Sequence, residues 1–132
     1  MLISIKKDDP RPLYLQIIIQ LKEQMRRGTL KPGDELPSVR ELANSLGINM
    51  HTVRNAYIKL HEQGIINLSL GRRATITRMK QPDNIKEVEA EIIARMEELT
   101  TDALLMGLSP EEIQKVLIRE MERLRTEGDI YL

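Results

Sequence analysis

The side chains of this chain best suited to directed hydrogen bonding stand together at 49–55, Asn-Met-His-Thr-Val-Arg-Asn. Arg54 carries a planar fork of donors that matches the O6 and N7 of a guanine or two oxygens of a phosphate. His51 and Thr52 can donate to phosphate or base edges, and Asn55 can both donate and accept. Met50 lacks these capacities, and its thioether suits packing on an apolar group such as a thymine methyl. Arg40 supplies another guanidinium upstream, and Gly71-Arg72-Arg73 puts two more beside a glycine downstream. The sequence shows no close acid, base and nucleophile set, no glycine-rich phosphate loop and no metal-ligand spacing. Such a collection suits recognition of a polyanion better than catalysis.

To serve that purpose the cluster at 49–55 must sit on one face of an anchored helix. Asn49 is a good N-cap, and Val53, Ala56, Tyr57 and Leu60 fall within one face at helical spacing, opposite His51, Arg54, Asn55 and Glu62. Just before it, Ser38 and Glu41 form an S-x-x-E capping box ahead of Val39, Leu42, Ala43 and Leu46, and Gly47 ends that short helix. Two helices joined by Gly47-Ile48-Asn49 read as a helix-turn-helix. A first helix begins at Pro12, places Leu13, Ile17, Ile18, Leu21 and Met25 at helical spacing, and stops at Gly28. The stretch between, TLKPGDELP, reads as a loop around the turn Pro32-Gly33-Asp34. After Gly64 the period changes, and 65–70 and 74–79 predict a small β-hairpin with Gly71-Arg72-Arg73 at its tip. A helix-turn-helix followed by such a wing sends its second helix into the major groove of DNA and its wing to the neighbouring backbone or minor groove. On that topology Arg40, Asn49, Met50, His51, Thr52, Arg54, Asn55, Gly71, Arg72 and Arg73 are the candidate DNA-binding residues. Blander roles stay open: Asn49 and Thr52 as caps, Arg72 and Arg73 as charges protecting a strand edge.

The net charge is zero, but the halves differ. Residues 1–82 hold fourteen Lys and Arg against seven Asp and Glu, whereas residues 83–132 hold six against thirteen. A basic first half facing DNA and an acidic second half turned away from it account for the division. In the second half Ile85, Val88, Ile92, Met96, Leu99, Ala103 and Met106 form a near-heptad stripe that Gly107 ends. Ser109-Pro110-Glu111-Glu112 then starts a last helix carrying Ile113, Val116, Leu117, Met121 and Leu124 to a stop near Gly128. Two helices cannot bury such stripes without a partner surface, which is either the winged helix, if they fold back on it, or a second copy; for the second, Val88, Ile92, Met96, Leu99, Ala103, Ile113, Val116, Leu117, Met121 and Leu124 are the candidate dimerisation residues. The expected fold is mostly α (α+β): a winged helix-turn-helix with a two-stranded wing over 1–80, then a two-helix dimerisation unit over 83–132.

The absence of cysteine excludes disulfides and thiolate metal sites. His51 and His61, ten residues apart, do not share a helix face as a metal pair would. The longest uncharged runs are far short of a membrane span, and the opening LISIKKDD lacks the order of a secretory signal. The expected setting is the cytoplasm, with no cofactor and no membrane contact.

The string GTLKPGDELPSVRELANSLGINMHTVRNAYIKLHEQGII, with Pro12-Leu13-Tyr14 before it, resembles the GntR family of bacterial transcription regulators. By that resemblance Arg40, Thr52, Arg54 and Gly71 contact DNA. The segment MGLSPEEI and the brief helical tail resemble the YtrA-like branch, which implies a winged helix with a small helical dimerisation unit, often encoded beside the transporter genes it represses. The larger branches carry an effector or aminotransferase-like domain that does not fit in residues 83–132, so the resemblance implies no enzyme and no pyridoxal phosphate. Two positions depart from the pattern. Met50 stands where the family has Arg, or Pro in this branch, and Gly71-Arg72-Arg73-Ala74-Thr75 replaces the wing pattern G-x-G-T-F. The reading is a homodimeric regulator of a palindromic operator, with a small-molecule effector undetermined. Its alternative is a winged helix that binds protein instead of specific DNA.

Overall fold

The computed structural model describes residues 3–77 and 85–127, which form two compact units. The first contains α1 (Leu13–Arg26), α2 (Val39–Leu46), α3 (Met50–Glu62), β1 (Ile66–Asn67) and β2 (Thr75–Ile76). The second contains α4 (Ile85–Leu105) and α5 (Pro110–Glu127). The expected strand end at Met79, the helix cap at Asp83 or Asn84 and the helix stop at Gly128 lie outside the described residues.

The helix-turn-helix forms for local reasons. The Ser38 hydroxyl accepts from the Glu41 N–H at 3.0 Å and starts α2. Gly47 ends it at φ +68, a conformation that costs a residue without Cβ little, and lets the Ile48 N–H reach the Ala43 carbonyl at 3.1 Å. The Asn49 side chain then accepts from the His51 N–H at 2.8 Å and starts α3 at once. Leu42 and Ala43 of α2 are buried together with Ile17, Ile18 and Leu21 of α1, and Val53, Ala56, Tyr57 and Leu60 of α3 complete this core. Polar atoms reinforce the packing. The Tyr57 hydroxyl donates to the Pro37 carbonyl at 2.7 Å, tying α3 to the chain entering α2. On the far side Gln16 and Gln20 hold an extended N-terminal segment: Gln20 bonds both the N–H and the carbonyl of Ser4, and Gln16 does the same to Lys6.

The wing differs from the expected hairpin. Its antiparallel pairing covers Ile66 opposite Ile76 and Asn67 opposite Thr75, against the longer strands 65–70 and 74–79 read from the sequence. The other edge of β2 is taken by the segment read as a loop. Glu35 bridges Thr75, the Leu36 N–H donates to the Ala74 carbonyl at 2.8 Å, and Gly33 and Asp34 exchange bonds with Ile76 at 2.9 Å. Thus β2 has partners on both sides, and Leu36, Ala74 and Ile76 are buried in the same core. Arg73 is also drawn away from the tip. Its guanidinium forks onto the Glu41 carboxylate of α2, with one bond of 2.9 Å, and the Glu35 carboxylate stands 3.9 Å away.

In the second unit α4 ends in a turn at Gly107, φ +98, with the Leu108 N–H bonded to the Ala103 carbonyl at 3.1 Å. Ser109 and Glu112 then form the reciprocal capping box that starts α5. Met106, expected in the stripe of α4, falls in the turn. No residue of α4 is buried, and among the described side chains of α5 only Ile113 and Leu124 reach half-burial.

Two outcomes follow from these contacts. Tyr57→Phe removes the bond to Pro37 and lowers unfolding stability by about 1 kcal/mol, visible as a lower urea midpoint with an unchanged slope. The Glu41 carboxyl, held below its ordinary 4.5 chiefly by the hydrogen bonds from Arg73, titrates low in an NMR titration and returns toward 4.5 in Arg73→Ala. Because its folded value is depressed, the pair supports the fold above pH 4.5 and is lost as the pH falls through the folded value. A Glu41 titration identical in both proteins would refute the pairing in solution.

Candidate nucleic-acid interface

The inner face of α3 is committed to the core, so its opposite face is presented to solvent. His51, Arg54 and Asn55 are exposed there, followed by Glu62 about two turns on. Arg54 has no ion pair among the described residues, which leaves its whole fork available. Ile58 lies in the middle of this outward face and is also exposed. It is not among the candidate residues read from the sequence, although helical spacing from Arg54 and Asn55 places it there.

Three other predicted residues of this helix have partly structural surroundings. The Asn49 side-chain oxygen is the helix cap, which leaves its NH2 group for an outside acceptor. Met50, at the first helical position, is half-buried and packs against the core. Thr52 is half-buried, and its N–H closes the first turn on the Asn49 carbonyl at 3.1 Å. On the flank of α3, Lys59 places its ammonium 5.3 Å from the centre of the Tyr14 ring of α1.

Arg40 is exposed in the first turn of α2 and has no ion pair among the described residues. The Tyr57–Pro37 bond joins a residue one turn beyond Arg54 to the backbone three residues before Arg40. The two guanidiniums are therefore carried on helices locked to each other. In the wing the Arg72 N–H closes a turn on the Ser69 carbonyl at 3.1 Å, with Gly71 at φ +75 in its third position. Gly71 and Arg72 are exposed at this tip, whereas Arg73 is paired with Glu41. The predicted set thus divides. His51, Arg54, Asn55, Arg40, Gly71 and Arg72 are presented outward, Thr52 is half-buried at the edge of that face, and Asn49, Met50 and Arg73 hold neighbouring groups in place.

This arrangement offers cations, hydrogen-bond donors and one apolar contact on a projecting helix with a wing beside it. Among the described residues no group of three His, Asp or Glu side chains could hold a metal ion, and no helix is long and apolar enough to cross a membrane.

The comparison with protein families matches residues 13–76 to "Bacterial regulatory proteins, gntR family". The HTH-type transcriptional repressor YtrA of Bacillus subtilis (strain 168) is 38% identical over 110 residues, which cover 81% of this chain and 85% of that protein. Among solved structures, YtrA from Sulfolobus acidocaldarius, a GntR-family transcription factor, superposes with a TM-score of 0.61 at 36% identity, over 92% of this chain and 97% of that one. A transcriptional antiterminator from Listeria monocytogenes EGD-e reaches a TM-score of 0.78 at 28% identity, over 100% and 97% of the two chains. With its helix-turn-helix, its wing and relatives of matching length, the chain belongs to the gntR family of bacterial regulatory proteins, which are DNA-binding transcription regulators and not enzymes.

Proposed function

We propose that this regulator binds a palindromic operator as a homodimer, in the bacterial cytoplasm, and represses a transporter operon. The observation that carries the reading is the division of α3, whose inner face is sealed in the core while His51, Arg54 and Asn55 project from the other. In the major groove Arg54 takes a guanine edge or a phosphate, and Asn55 and His51 contact neighbouring edges. Arg40, Thr52 and Arg72 serve phosphates, and Gly71 lets the wing backbone approach closely. Asn49 and Met50 fix the start of the helix, and Met50 adds at most a methyl contact, so selection at its base pair is weak or shifted toward A·T. Repression and a transporter operon are the target class that the YtrA-like resemblance supplies.

The dimer is supported by the apolar faces that α4 and α5 leave in water. Val88, Ile92, Met96, Leu99, Val116, Leu117 and Met121 are all exposed, Leu99 at 67%, while Ala103, Ile113 and Leu124 are half-buried. A second copy covers these faces and sets two recognition helices about 34 Å apart, the spacing of successive major grooves.

Two measurements test this reading. Against a fragment of its own promoter, Arg54→Ala weakens binding by about 1–3 kcal/mol and lowers the slope of log K against log salt by about 1. Arg73→Ala leaves that slope nearly unchanged, because Glu41 already neutralises the charge. Equal affinity for the promoter fragment and for random duplex would refute specific regulation. Light scattering at micromolar concentration gives twice the chain mass of 15.2 kDa, and Ile92→Asp with Leu117→Asp reduces it to the monomer value. A monomeric mass for the unaltered protein would remove the dimer from the scheme.

A further inference from the structure

The wing carries an apolar line that leaves the core and ends in water. At alternate positions Ile66 is 1% exposed, Leu68 37% and Leu70 104%, the last in the second position of the Ser69–Arg72 turn. A leucine fully in solvent at the point of a turn contributes nothing to the fold. Its surroundings are one-signed, since residues 65–77 contain Arg72 and Arg73 and no Asp or Glu. Arg73 is neutralised by Glu41, which leaves Arg72, two residues from Leu70, as the cation of the tip. The tip is also anchored: β2 is paired on both edges, and the Arg73–Glu41 ion pair ties the wing to α2.

A projecting aliphatic group beside a free cation, on a braced arm, matches a surface whose anionic walls border an apolar interior. The minor groove of duplex DNA is such a surface, with phosphates along its rims and stacked bases between them. We propose that Leu70 is an apolar wedge that enters the minor groove beside the site of α3 and partly unstacks one base step, while Arg72 takes the adjacent phosphate. The wedge rests on the DNA-binding reading above. It adds selection through deformability, because pyrimidine–purine steps unstack most readily and are preferred where Leu70 enters. The Arg73–Glu41 pair serves as the brace that lets the wedge be pushed in.

The test uses the full-length protein and a duplex it selects from a random-sequence pool, with 2-aminopurine scanned through the flanks. Unaltered protein raises the fluorescence at one flanking step, and the selected pool is enriched there in TA or CA/TG. Leu70→Ser abolishes both signals and weakens binding about tenfold or more, with an unchanged salt slope, since an apolar contact and no phosphate contact is lost. Leu70→Met restores them. Because Leu70 lies outside the core, thermal unfolding is the same in all variants. If Leu70→Ser keeps both the affinity and the fluorescence change while Arg54→Ala loses binding, the wedge is refuted and the DNA-binding reading stands. If the pool yields no preferred duplex for the unaltered protein, both fall. Leu70-dependent binding to phosphatidylglycerol vesicles or to a protein partner, without the fluorescence change, likewise overturns the wedge.

Discussion

Burial of one face of α3 is the constraint on which the rest of the first unit depends. Val53, Ala56, Tyr57 and Leu60 are closed off by α1, α2 and the wing strands, so the rotation of α3 about its axis is settled by packing. Turning the helix would expose Leu60 or Tyr57 and bury Arg54 or Asn55, and an unpaired guanidinium inside an apolar core costs far more than any contact it could gain. The Tyr57 hydroxyl adds direction to a contact that is otherwise only apolar, because its bond to Pro37 accepts one placement of α3 against the entry to α2. The backbone that carries the recognition chemistry is therefore organised before any ligand arrives, and little backbone entropy remains to be lost at that face on binding.

The wing obeys the same constraint through the backbone. With Gly33 to Leu36 on one edge and β1 on the other, β2 is an interior strand despite its two residues, and its buried Ile76 connects it to the helical core. Arg73 shows how a charge that looks like a ligand contact can be absorbed by the fold. The Ser38 hydroxyl that caps α2 accepts from the Glu41 N–H, and the Glu41 carboxylate receives the Arg73 guanidinium, so one residue links the helix cap to the wing brace. An exposed pair of this kind adds little to overall stability, and its effect is to hold a projecting arm in one direction.

The second unit has the opposite character. Its turn and the cap of α5 are formed, with Ser109 and Glu112 bonded reciprocally and Gly107 in the left-handed conformation, yet its described apolar side chains are mostly uncovered. Local signals decide where α4 ends and α5 begins. They do not provide a core, and that imbalance is the physical basis for the homodimer proposed here.

The sequence by itself determined where α2 begins and ends, where α3 and α5 begin and where α4 ends, since caps at Ser38, Asn49 and Ser109 and glycines at 47 and 107 act within a few residues of chain. It also determined which face of α3 is apolar, because helical periodicity is a local property, and so the outward placement of His51, Arg54 and Asn55 was legible in advance. Ile58 was legible by the same spacing, four positions beyond Arg54, although the candidate set does not include it. Tertiary structure decided the rest. The pairing of Glu35 with Thr75 and of Arg73 with Glu41 joins residues 40 and 32 positions apart, and no local pattern encodes such contacts. Met50 reads as an outward residue from its place in the first turn of α3, yet it is half-buried against the core once the helices are assembled. Distances along the chain set the elements, while only the assembled core could show which cations remain free to meet a polyanion.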